Sequence, residues 1–253
     1  GIYLIKLFDS EKTSEILTEL DEDVREKILK ALSVKEIADE IEELDSDDAA
    51  DILGELSDQR KEEVISEISD NNLADDLKEL LSYDEDSAGG LMAKELVQAN
   101  ENWSVTKCLK EIKKQGESVT RVHSIYVVDD KQKLIGRLSL KDLIISPAKN
   151  LIKDIYIPKV DSVNVFVDGE EVAKIMSKYD LEAIPVIDNK KQLVGRITID
   201  DIVDFIKEEA EEDYLLAAGV QGDVEADDSI FELTKARLPW LFLGLVGGLG
   251  SVF

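Results

Sequence analysis

The chain is short of nearly everything that a metalloenzyme or a nucleic-acid binder needs. It has one cysteine and one histidine in 253 residues. A lone Cys108 excludes a disulfide scaffold and a cysteine-based zinc site, and suits a reducing compartment. It falls on a helix that opens a repeat, where it reads as core. A lone His123 leaves no histidine-rich metal site and no Ser-His-Asp machinery; with no paired carboxylate or thiol pattern around it, it reads as structural. Positive charge is scarce as well: 30 Lys plus Arg stand against 57 Asp plus Glu, a formal net charge of −27. Recognition of a phosphate backbone rests on Lys and Arg, so nucleic acid is excluded as a partner. Gly89-Gly90 is a turn rather than a phosphate loop, because no Gly-Lys-Ser/Thr follows it. No constellation supports an enzyme. What such a chain can bind is a hard cation, through carboxylate oxygens.

The acid is unevenly placed. Residues 1–90 hold 29 acidic and 9 basic side chains, a net of −20, and the remainder a net of −7. The same ninety residues contain an internal repeat. Leu17, Leu29, Ile41, Leu53, Ile65 and Leu77 recur every twelve residues, and Leu20, Leu32, Leu44, Leu56, Ile68 and Leu80 form a second series. Three apart within each unit, the two series share a helix face. Polar residues able to cap helices, Asp21, Ser33, Asp45, Ser57 and Ser69, open the units. A helix-turn of this size cannot bury its face alone, so the pattern predicts short helices stacked into a superhelix. A period of twelve rather than seven excludes a coiled coil.

A second repeat follows. His123-Ser124-Ile125-Tyr126-Val127-Val128-Asp129-Asp130 lies 59 residues before Glu182-Ala183-Ile184-Pro185-Val186-Ile187-Asp188-Asn189. Leu134-Ile135-Gly136-Arg137-Leu138-Ser139-Leu140-Lys141-Asp142 is offset equally from Leu193-Val194-Gly195-Arg196-Ile197-Thr198-Ile199-Asp200-Asp201. Each copy reads as helix, strand, polar turn, strand ending at Gly-Arg, and a helix capped by Ser139 or Thr198. The pair resembles tandem CBS domains, regulatory modules built of two β-β-α units. After it comes an acidic helix from Ile202, on which Asp201, Asp204, Glu208 and Glu212 stack along one side and Glu209 and Asp213 flank them. Like charges at these spacings weaken an isolated helix by a few tenths of a kcal/mol per pair, a penalty that counter-cations remove. Beyond Arg237 sixteen uncharged residues run to Phe253. At ~1.5 Å per residue they would cover roughly 24 Å, short of a ~30 Å hydrocarbon core, and read as the start of a transmembrane helix. Lys235 and Arg237 suit its cytoplasmic flank, Trp240 an interface, and Gly244 with Gly248 close helix packing. The start lacks Met and carries no signal peptide, so the chain reads as the trimmed cytosolic portion of a multi-pass cell-membrane protein.

The expected organisation is therefore multi-domain: an all-α superhelix over residues 1–90, α/β CBS units over 91–150 and 151–203, an acidic connecting helix and linker over 204–235, and a membrane entry over 236–253. This order, with Tyr83-Asp84-Glu85-Asp86-Ser87-Ala88-Gly89-Gly90-Leu91-Met92 at the first junction, resembles the MgtE family of magnesium channels and transporters. The resemblance implies a homodimer through the CBS pair, attached to its own transmembrane pore, whose cytosolic region senses Mg²⁺ and closes the pore. It places cation ligands at Asp39, Asp75 and the Gly90 carbonyl, with Asn71 where the family commonly has another Asp. It places others at Glu170, Ser177 (through its backbone) and Asp180, and at Asp201, Asp204, Glu209, Glu212 and Asp213. CBS pairs often bind adenine nucleotides, which here would use Asp142 and Ser139, with Ser124 where some relatives present an aromatic ring. A second function class stays open: a nucleotide-sensing CBS module of another membrane transporter, its acidic superhelix serving as a dock for a partner.

Overall fold

The computed structural model describes residues 8–116, 119, 121–122 and 124–217. His123 and the stretch from Gly219 to Phe253, with its expected membrane entry, lie outside these residues. Six short helices open the described chain: α1 (Ser10–Thr18), α2 (Glu22–Leu29), α3 (Val34–Ile41), α4 (Ser46–Gly54), α5 (Asp58–Glu67) and α6 (Asn71–Leu80). The twelve-residue period sets which side they bury. All six members of the Leu17 series are at most 8% exposed. The Leu20 series is shallower, with Leu20, Leu44 and Leu56 packed at the margin of the core. Turn chemistry is more varied than the repeat suggests. Ser33 and Glu36 form a reciprocal capping box, Ser33 Oγ accepting from the Glu36 amide at 3.2 Å. Asp9 and Asp70 also cap with their side chains. The last cap is thus Asp70, one residue beyond the expected Ser69, because α6 starts a residue later. Asp21, Asp45 and Ser57 hold the cap position without making the bond.

Two of the few cations brace this stack. Arg25 donates to the carbonyls of Leu17, in the last turn of α1, and Leu20, just past its end. Arg60 donates to those of Leu29 and Leu32, the equivalent carbonyls one repeat on, at 2.9 and 2.5 Å. Helix C-terminal carbonyls have no intrahelical donor and carry partial negative charge, so each guanidinium satisfies and neutralises a helix end.

The two repeats after residue 90 build one sheet each. The first has β1 (Val97–Asn100), α7 (Val105–Gln115), β2 (Ile125–Val128), β3 (Leu134–Leu138), α8 (Leu140–Ile145) and β4 (Ile157–Pro158), in strand order β1-β2-β3-β4. The second has β5 (Val163–Asn164), α9 (Gly169–Tyr179), β6 (Ala183–Ile187), β7 (Leu193–Thr198) and α10 (Ile199–Ala217), in order β5-β6-β7. In both, a parallel pair joined through a helix is followed by an antiparallel hairpin, Ile125 opposite Leu138 and Ala183 opposite Thr198. Cys108 is fully buried in the first core, as expected. Ser139 holds the N-cap position of α8 but forms no side-chain cap bond there, contrary to expectation.

The cores divide unexpectedly. Ile125, Val127 and Leu138 belong to a core confined to the first repeat. Ile184, Val186 and Ile197 of the second repeat instead share one continuous core with the six-helix domain, through Ala88 and Met92. The helical domain therefore packs on the repeat that is farther along the chain. One compact unit ends at Ile202; a second begins at Val203, where α10 continues to Ala217. No helix among the described residues is long and apolar enough to cross a membrane.

Candidate functional site

The segment from Tyr83 to Glu95 joins the helical domain to the second repeat, and its sequence explains how. Ser87, Ala88 and Gly89 are small enough to let the backbone lie against the link from β5 to α9 and the start of α9. The Ala88 and Gly89 amides donate to the Val167 and Val165 carbonyls at 2.7 and 2.8 Å. The Asp86 carbonyl accepts from the Gly169 amide at 2.7 Å. Ala93 then pairs with Arg196 of β7 through both backbone bonds, 2.8 and 2.9 Å. Gly195 makes that approach possible: a Cβ there would stand 2.6 Å from Met92 Sδ and 2.8 Å from the Ala93 carbonyl.

Carboxylates crowd this junction. Asp45, Asp47 and Asp48 come from the start of α4, Glu95 from the joining segment, and Asp201 from the start of α10. Glu95 is held in place, accepting from Ser46 N and Oγ at 3.2 and 2.8 Å, while Ser46 Oγ accepts from the Lys94 amide. Asp201 accepts from Thr198 N and Oγ1 at 2.8 and 2.6 Å, fixing its carboxylate at the head of α10. Burial, then the neighbouring Asp201 and Asp48, hold the Asp47 carboxyl well above its ordinary range. Asp48, exposed as a residue, is pushed up to about 6 by desolvation of its carboxyl among packed neighbours and by Asp201 and Asp45, against the pull of Arg25. Asp45 rises for similar reasons, burial and Glu95 outweighing Arg196. Desolvation first and like-charged neighbours second thus both disfavour the ionised carboxylates here.

Among the described residues, no three carboxylates converge as the inner ligands of a closed metal cage would. Mg²⁺ does not need one: it keeps several waters and is usually held by one or two carboxylates. The carboxylates of Asp47 and Asp48, raised by desolvation and by the neighbouring Asp201, fit a hydrated hard cation held near the head of α10.

The residues singled out in the sequence are dispersed. Asp39 and Asp75 are exposed on α3 and α6, and Asp75 pairs with Lys78 at 3.5 Å. Gly90 is half-buried, its amide 3.3 Å from Ser87 Oγ. Glu170 is paired with Lys174 at 2.7 Å, and Ser177 and Asp180 are exposed nearby on α9 and its end. Asp180 takes the left-handed conformation, φ 53°, that ends α9, a role to which Asp is suited. Asp204 is exposed and paired with Lys207 at 2.6 Å, and Glu209 is half-buried. The side chains of Glu212 and Asp213 lie outside the described residues. Of the expected set, only Asp201 enters the crowded junction. Asp45, Asp47, Asp48 and Glu95 complete it and were missed, because acids in a first helical turn are ordinary. The available signal was their density: three acids within four residues at one helix start. On the nucleotide side, Asp142 and Ser124 are half-buried, and the Tyr126 phenol beside Ser124 is buried without a hydrogen-bond partner.

An acidic helical superhelix docked on paired β-β-α repeats is the arrangement in which a regulatory CBS pair would carry a helical sensor domain. The comparisons agree. Residues 2–86 match the model of the MgtE intracellular N domain, and residues 88–148 and 152–208 match the CBS domain. The chain is 34% identical over 172 residues to the magnesium transporter MgtE of Bacillus subtilis, covering 66% of this chain and 38% of that protein. It is 38% identical over 169 residues to the MgtE of Thermus thermophilus, again covering 66% and 38%. A crystal structure of the cytosolic domain of the Mg²⁺ channel MgtE in complex with ATP superposes with a TM-score of 0.75 at 33% identity, covering 81% of this chain and 83% of that one. The chain belongs to the MgtE family. It spans a little over a third of the length of the curated relatives it matches.

Proposed function

We propose that this chain is the cytosolic Mg²⁺-sensing and gating region of a magnesium channel or transporter, in which Mg²⁺ bridges acidic faces and favours the compact, closed state. The observation that carries this reading is the junction of α4, Glu95 and α10. It brings acids of the superhelix near Asp201, at the head of the helix that follows the CBS pair, at an electrostatic cost that a divalent cation would remove. Each site contributes RT ln(1 + [Mg]/Kd), roughly 0.4 kcal/mol at [Mg] = Kd; five or six at ten times Kd give about 7–9 kcal/mol, enough to swing a two-state equilibrium. Many weak sites thus make a steep switch. The family ligands at Asp39, Asp75, Gly90, Glu170, Ser177, Asp180, Asp204, Glu209, Glu212 and Asp213 would supply the others. The pore, its membrane setting and its substrate belong to the part of the protein beyond this chain. A homodimer through the CBS pair is supported by α8, which leaves Ile144 and Ile145 64% and 68% exposed.

Limited proteolysis with millimolar Mg²⁺, against ATP or AMP alone, tests the reading. Mg²⁺ is expected to protect the junction, and protection equal in EDTA would sink the proposal. Protection by nucleotide alone would favour the nucleotide-sensing alternative, with Asp142 and Ser139 as its contacts. ATP, which a solved relative binds, is compatible with either.

A further inference from the structure

The crowded junction already contains a cation of its own. Arg196 is only 6% exposed. Its Nε donates to the Glu95 carbonyl, its Nη2 lies 3.9 Å from the Asp45 carboxylate, and its backbone is paired with Ala93. The guanidinium thus faces α4 of the helical domain and the joining segment from a strand of the second repeat. Its counterpart 59 residues earlier, Arg137, has the same Gly-Arg setting and stands in solvent. A buried guanidinium needs carboxylate and carbonyl partners to offset its desolvation, and here they come from two different domains.

We propose that Arg196 is a resident counter-cation, holding the helical domain docked on the second CBS repeat when no divalent ion is bound. The inference rests on the reading of this junction as a cation-responsive interface, but its test does not. Arg196 supplies one fixed positive charge where a mobile ion would supply two, so docking is partial without Mg²⁺ rather than absent. The carboxylates of Asp47 and Asp48 are what it works against.

The test is amide hydrogen exchange on the intact protein in EDTA, read at residues 45–48 and 93–95, with β2 as an internal control of folding. Arg196→Met keeps the buried stem and removes the charge. It should speed exchange at the junction about tenfold while leaving β2 unchanged. Arg196→Lys, which keeps the charge but not the forked donor, should fall between. Arg196→Met combined with Asp47→Asn and Asp48→Asn should recover part of the protection, because only Asp45, Glu95 and Asp201 then remain charged. Junction exchange in Arg196→Met equal to the parent protein would overturn the proposal. So would a triple variant as exposed as the single one, which would make Arg196 a packing residue only; this comparison also decides the matter if the single variant folds poorly. Adding Mg²⁺ to the parent protein and to Arg196→Met tests the gating reading separately, since indifference to Mg²⁺ in both leaves the EDTA comparison intact.

Discussion

The two CBS repeats start from nearly the same pattern and end in different surroundings. Gly136-Arg137 and Gly195-Arg196 occupy equivalent strands. A side chain on Gly136 would run into Tyr156 and the Ile157 backbone, one on Gly195 into Met92 and Ala93. In each repeat, then, the glycine admits a segment that covers the edge of the sheet. For the first repeat that segment is β4, the link to its own twin. For the second it is the link from the helical domain. That single difference turns Arg196 inward and leaves Arg137 out. It also fuses the second core with the superhelix while the first remains separate. Tandem repeats thus divide their work through what covers their edges, not through their own folds.

The sharpest way to break this contrast is to open matching holes in the two cores. Ile184 and Ile125 are fully buried and 59 residues apart. Either Ile→Ala change should cost about 2–5 kcal/mol in its own repeat. Ile184→Ala should also speed hydrogen exchange in α3 to α6, and Ile125→Ala should leave those helices unchanged; equal effects on the superhelix would refute separate cores. Next in size, Gly195→Ala should cost about 1–3 kcal/mol in urea unfolding and expose the 83–95 segment to protease, whereas Gly136→Ala should cost as much without that exposure.

Charge changes should act more gently. Asp201→Asn keeps an oxygen to accept from Thr198 but removes a charge from the junction. The docked form should resist proteolysis better in EDTA and respond less to Mg²⁺, while Asp142→Asn should alter neither. Proton binding gives the same test without mutation. Asp48, with a folded value of about 6 against 3.8, binds protons more strongly when docked, and Asp45 and Asp47 shift the same way. Between those values stability must fall as pH rises, and it is fully present only below the lower one. In EDTA the junction should therefore loosen from pH 4 to pH 6, by proteolysis, and saturating Mg²⁺ should flatten the profile. Glu40, buried and raised to about 7 by desolvation and its acidic neighbours, should add the same sign to the thermal midpoint. Smallest of all, Arg137→Met should change stability by no more than about 0.5 kcal/mol.

Much of the fold was legible because burial writes a period into sequence. The Leu17 series marked a buried position in each of six helices, and the 59-residue offset marked two sheets with matching hairpins. The caps were less legible: a cap needs one oxygen within reach of one amide, and Asp45 satisfies the composition while its carboxylate lies toward Arg196 instead. The junction was least legible. Nothing local distinguishes Arg196 from Arg137, since the difference comes from a segment a hundred residues upstream. Likewise Asp47 and Asp48 look like any acids that favour a helix start, and become unusual only when Asp201 is brought against them. A chain pattern carries a face or a turn, whereas bringing Asp201 near a pair of acids about 150 residues upstream is a property of docking.

The backbone pairing of Ala93 with Arg196 sets an order of events during synthesis. Glu95 and Arg196 are 101 residues apart, so at roughly 5–20 residues per second the ribosome needs about 5–20 s to supply the second partner. The six helices can stack long before then, but the apolar side that carries Ala88 and Met92 has nothing to cover it until β7 emerges. For that interval the helical domain would have an open flank, where a net charge of −20 on residues 1–90 opposes association with another copy.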